Sequence, residues 1–123
     1  IQAKRTASGG WEAYYDNGRE HSGRDAVEWA AEGEARGAGE ILLTSVDCEG
    51  LRRGMDSELI RAVRERVSIP VIAAGGAGRC EDLCAAAQAG ADAVAVGSLL
   101  HYEKAHVADL KQALRDGGWE VRK

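Results

Sequence analysis

Phenylalanine is absent from this 123-residue sequence, and proline occurs once, at Pro70. Three Trp and three Tyr are the only aromatic residues. A core built without large rings must come from Ala, Val, Ile and Leu, which pack elements closely but bury little area per residue. Stability of such a chain on its own is expected to be marginal. Long apolar runs are also missing. None approaches the roughly 18 residues of a membrane span, and the first residues lack the pattern of a signal peptide. An excess of basic charge is missing too: 16 Lys+Arg face 20 Asp+Glu, for a formal net charge of −4. This diffuse acidic balance excludes the basic face that non-specific nucleic-acid binding requires. The expectation is a cytoplasmic protein with no nucleic-acid or membrane partner. The length suits one domain and falls short of a complete (β/α)₈ barrel, which takes about 200 residues or more.

Cysteine is scarce and odd in number: Cys48, Cys80 and Cys84. A disulfide framework is not expected. Cys80 and Cys84 are four apart in a helical stretch and share a face, with no further ligands nearby for a metal. They read as small buried apolar residues. Cys48 reads as a half-buried or exposed loop residue. No metal or cofactor is expected.

What the sequence does have is glycine, 16 residues of it, and a repeated grammar of strand, loop and helix. The run Ile41–Ser45 leads into a polar loop and a helical pattern starting near Asp56. Pro70–Ala74 leads into Gly75-Gly76-Ala77-Gly78 and a helix carrying Leu83, Ala86 and Ala87. Ala93–Val96 leads into Gly97-Ser98 and a last helix near Val107–Arg115. Apolar runs without alternation read as strands covered on both faces, and this order is that of parallel βαβ units. The front of the chain differs. Ile1–Arg5 reads as the end of a strand. Trp11–Tyr15 with Asp16-Asn17-Gly18 reads as a hairpin on an Asn-Gly turn. Ser22–Asp25 reads as a capping box, opening a helix that ends at Gly37. Residues 1–123 thus form one α/β domain, a (β/α)₄ half-barrel of the TIM-barrel type with its first unit incomplete.

Parallel α/β folds place function in the loops after the strands. Gly75, Gly76, Gly78, Gly97 and Ser98 lie in two such loops in consecutive units. Glycines let the backbone approach an anion, so a phosphorylated small molecule is the expected ligand; tight turns alone also explain glycine clusters. Asp47 and Glu49 are paired carboxylates at the end of one strand, suited either to acid–base work or to a solvated loop beside Arg52 and Arg53. His21, His101, His106 and the three Trp read as structural or solvated.

The segments Gly37–Asp47 followed by Gly50, Pro70–Gly78 and Gly90–Ala93 closely resemble the cyclase subunit of imidazole glycerol phosphate synthase. Ala3-Lys4-Arg5, the hairpin and Gly97–His101 fit in the same order. The resemblance covers essentially the whole chain and corresponds to that subunit's C-terminal half. It implies a (β/α)₈ barrel that cyclises a bis-phosphorylated ribosyl-formimino substrate with ammonia from a glutaminase subunit. By resemblance, Gly75, Gly76, Gly78, Gly97 and Ser98 form one phosphate site. Thr44, Ser45 and Asp47 line the pocket, and Glu40 falls at the ammonia entrance. Departures are equally specific. Gln2 stands where the family has an aspartate, Glu49 where it has a second aspartate, and Leu51 where it has a small polar residue. Gln2 cannot act as an acid or base. Glu49 keeps its charge but shifts it by a methylene. The chain alone is therefore expected to retain phosphate binding without turnover. The alternatives are a non-catalytic module for a phosphorylated metabolite or protein partner, and a fragment of a complete cyclase. A half-barrel exposes two sheet edges and an apolar face, so a homo-oligomer or a complementary half-barrel is expected.

Overall fold

Residues 41, 43 and 45 alternate with 42 and 44, and this alternation decides the fold's two sides. In the computed structural model, which describes residues 1–122, Ile41 and Leu43 are buried while Leu42 is 51% exposed. The strand they form, Ile41–Ser45, is β4. It follows β1 (Gln2–Arg5), β2 (Trp11–Tyr15), β3 (Glu20–Asp25) and helix α1 (Ala26–Ala35). Then come α2 (Ser57–Arg66), β5 (Val71–Ala74), α3 (Cys80–Gln88), β6 (Ala93–Ala95), α4 (Ser98–His101) and α5 (Val107–Asp116).

All six strands make one sheet in the order β3-β2-β1-β4-β5-β6. Strands β1, β4, β5 and β6 are mutually parallel, and β2 and β3 are antiparallel additions on the β1 side. The register aligns Gln2, Thr44, Ala74 and Ala95 in one row across the parallel strands. Because side chains alternate, this row shares the exposed face with Leu42. The opposite face carries Ala3, Leu43, Val71 and Ala73, packed under helices through Ala26, Ala30, Leu59, Val63 and Ala86. The core is made of Ala, Val, Ile and Leu as expected from composition.

Local chemistry sets the helix starts. Asp56 caps α2 by accepting from the Leu59 amide at 3.0 Å, which satisfies one of the orphan donors of the first turn. Asp92, in the Gly-Ala-Asp-Ala segment, accepts from the Val71 amide at 2.9 Å and so ties the start of β5 to the start of β6.

Three expectations are corrected here. Ser22 does not cap α1; β3 stays paired with β2 as far as Asp25, so the helix begins only there, with Asp25 accepting from the amides of Val27 and Glu28. The Ser22 hydroxyl donates to the Ala13 carbonyl instead. The hairpin turn is longer than an Asn-Gly pair. Asp16, Asn17 and Gly18 are all left-handed, and the Arg19 amide closes on the Tyr15 carbonyl at 3.2 Å. Cys80 and Cys84 are half-buried rather than fully buried, and partial desolvation with the nearby Glu81 and Asp109 carboxylates pushes the Cys80 thiol up. The sheet is open with two edges, as expected, and the β2–β3 hairpin covers β1. One boundary is the charged strand β3; the other is β6. Among the described residues no helix is long and apolar enough to cross a membrane.

Candidate functional site

Four parallel strands bring their carboxyl ends to one side of the sheet. The loop after β4 folds back onto the loop after β5: the Gly54 amide donates to the Gly76 carbonyl at 3.0 Å. Between these loops and the one after β6 lies a cleft of about 420 Å³, a size suited to a small ligand. Glu49 and Gly50 form one wall, Ala74 to Ala77 the floor, and Ala95 to Ser98 the other wall. Gly75, Gly76, Gly97 and Ser98, drawn from two loops by sequence alone, therefore meet in one place.

Gly78 does not join them. Its amide donates to the Asp82 carboxylate at 2.8 Å, and a Cβ at this position would fall 2.2 Å from the Arg52 carbonyl oxygen. Its lack of a side chain serves the contact between the β4 and β5 loops. Asp82 is itself a residue that sequence reading missed. It is buried within α3's first turn and accepts from both the Gly78 and Arg79 amides, fixing the exit of the glycine loop. An acidic residue at the third helical position after a glycine run is the signal that points to it.

The two carboxylates of the β4 loop take different places. Glu49 borders the cleft. Asp47 accepts from the Arg5 amide at 2.7 Å, which joins the end of β1 to the β4 loop, and it is not among the cleft-lining residues. Thr44 and Ser45 also separate, because strand alternation sends them to opposite faces. Thr44 lies beside Gln2 on the open face. Ser45 is 3% exposed on the helix-covered face, and its hydroxyl has no partner among the described residues. Glu40 sits exposed at the start of β4, at the opposite end of the strand from the cleft. Gln2 is half-buried in the row below the cleft. Among the described residues no three His, Cys, Asp or Glu side chains converge as metal ligands.

A parallel sheet with helices on one face, a bare opposite face and its glycine loops gathered at the strand ends is half of a TIM barrel. The profile described as "Histidine biosynthesis protein" matches residues 1–106, and the chain belongs to that family. It is 50% identical over 127 residues to the imidazole glycerol phosphate synthase subunit HisF of Beutenbergia cavernae, covering 99% of this chain and 50% of the relative. With the subunit of the same name from Dehalococcoides mccartyi it shares 51% identity over 123 residues, 99% of this chain and 48% of the relative. The Pyrobaculum aerophilum subunit is 54% identical over 112 residues, 91% of this chain and 44% of the relative. The chain thus spans about half the length of the curated relatives it matches.

Proposed function

We propose that this chain is the C-terminal half of a cyclase subunit of imidazole glycerol phosphate synthase and that its cleft takes one phosphate of a phosphorylated ribosyl substrate. The observation that carries the reading is the convergence of Gly75, Gly76, Gly97 and Ser98 on one cleft. Glycine at these positions leaves backbone amides approachable, and Ser98 adds a hydroxyl. Glu49, as the carboxylate bordering this cleft, is placed to exchange protons with a bound substrate; Asp47 positions the loop that carries it. Glu40, at the far end of β4, fits the end where ammonia from a glutaminase subunit would enter. Titration with a ribose phosphate should shift the Ser98 and Gly76 amide resonances. No shift at millimolar ligand removes the phosphate reading.

A binding role without turnover is favoured by one residue. Gln2 occupies the row just below the cleft with an amide, so the acid or base that the family carries there is absent. Incubation of the 123-residue chain with free ammonia and the cyclase substrate should give no detectable product. Measurable turnover would overturn this part.

The bare face, with Leu42 51% exposed, and the unpaired edge of β6 support association with another half-barrel, here a second copy. An apolar groove of about 320 Å³ bordered by Val94, Leu110 and Trp119 lies beside the same edge, on the helix-covered side of β6. Sedimentation of the 123-residue chain at micromolar concentration should show a dimer. A compact monomer would count against this surface being self-complementary.

A further inference from the structure

Arg52 stands out on two independent grounds. Its backbone is left-handed, with φ of 55°, a conformation that a bulky side chain adopts only when its surroundings impose it. Its guanidinium lies over the Tyr102 ring, 4.7 Å from the centroid. Both side chains belong to exposed residues, so neither contact follows from burial. The two residues come from the loops that flank the cleft. Arg52 lies three residues after Glu49, and its carbonyl is held against Gly78. Tyr102 closes α4, donating its amide to the Ser98 carbonyl at 3.1 Å.

We propose that Arg52 and Tyr102 form a staple across the cleft mouth, joining the β4 loop to α4 and so fixing Glu49 on one wall relative to Gly97 and Ser98 on the other. Arg52 is a positioning residue in this arrangement, acting through Tyr102. The strained backbone aims its side chain across the gap, and the ring receives it. In affinity terms the inference rests on the phosphate reading above: a pre-set spacing between the walls lowers the ordering needed when a phosphoryl group binds. An exposed cation–π contact is expected to change such an affinity about two- to five-fold.

The test uses Arg52→Ala, Tyr102→Leu, the double variant and Tyr102→Phe. One readout is the ring-current shift of the Arg52 side-chain protons in the free protein; the second is the Kd for inorganic phosphate from the Ser98 and Gly76 amides. Wild type and Tyr102→Phe should show upfield Arg52 protons, and Tyr102→Leu should lose that shift. Each disruptive single variant should weaken phosphate about two- to five-fold, with the double variant no weaker than either single. The midpoint of thermal unfolding should fall by no more than about 5 °C. Weakening by Arg52→Ala but not by Tyr102→Leu would overturn the staple and make Arg52 a simple charge. Additive losses, or no ring-current shift in wild type, would overturn it as well. A ring-current shift in a wild type that binds no phosphate would overturn the phosphate reading and the effect on affinity, leaving the contact itself in place.

Discussion

Replacing Asp56 by alanine should lower stability by about 2–4 kcal/mol and thermal unfolding by roughly 10 °C. Three elements meet at this one carboxylate. It caps α2 through the Leu59 amide, and it accepts the Trp11 indole N–H of β2 at 2.9 Å. It also receives Arg5 of β1 at 3.2 Å. Losing a cap accounts for about 1 kcal/mol. Leaving a partly buried indole donor without an acceptor accounts for much of the rest. The Arg5 contact adds little, because the Arg5 side chain is 45% exposed and water screens the pair. Asp56→Asn separates these contributions. Asparagine has a single acceptor oxygen, so it can keep the cap on Leu59 but turns its NH2 group toward the Trp11 indole donor; its cost should be about 1 kcal/mol less than that of alanine. Urea unfolding of both variants measures the difference. Equal losses would mean that the indole bond and the charge, not the cap, hold the hairpin to α2.

At the cleft, Gly76→Ala should abolish phosphate binding and destabilise the chain by about 2–5 kcal/mol. Gly76 has φ of 99°, and an added Cβ would sit 2.2 Å from the Gly54 carbonyl oxygen and 2.7 Å from the Cys48 Cβ. Neither neighbour is the far end of a flexible side chain, so the β4 loop would have to lift off. Gly97→Ala is the contrasting substitution. Gly97 has φ of −126°, and its Cβ would meet nothing within 4 Å. Stability should change by less than about 0.5 kcal/mol, so any loss of phosphate binding reports the methyl added to the cleft wall. Denaturation together with phosphate titration reads both outcomes. A Gly76→Ala protein that keeps wild-type stability would show that the two loops are not docked as described.

The parallel units were legible because their signals are local. Apolar runs at 41–45 and 71–74 form strands, Asp56 and Gly37 punctuate helices, and the resemblance in the Gly75 and Gly97 segments marks the strand-end loops. The alternation within Ile41–Ser45 also held the answer to where Thr44 and Ser45 point, since adjacent strand residues face opposite sides. Other features depend on which loops meet. Gly78 resembles its neighbouring glycines in sequence, but its role follows from the Arg52 carbonyl lying against it. The short helix α4, Ser98–His101, goes unseen in the sequence because four residues leave no periodicity to read. The Arg52–Tyr102 contact spans fifty positions, and no spacing rule connects them.

The two boundaries of the sheet carry a consequence for how copies of this chain add together. Strand β3 ends the sheet with Glu20, Arg24 and Asp25, charges that discourage another strand from joining. Strand β6 is apolar, and its edge away from β5 is unpaired. A head-to-tail ring would require β6 of one copy to pair with β1 of the next, but the β2 hairpin already occupies that position. Two copies meeting β6 to β6 would instead form a two-fold, self-complementary contact that consumes the one receptive boundary found among the described residues of each. Growth would then stop at two. Light scattering should level off at twice the chain mass as concentration rises, without the continued climb of an open filament.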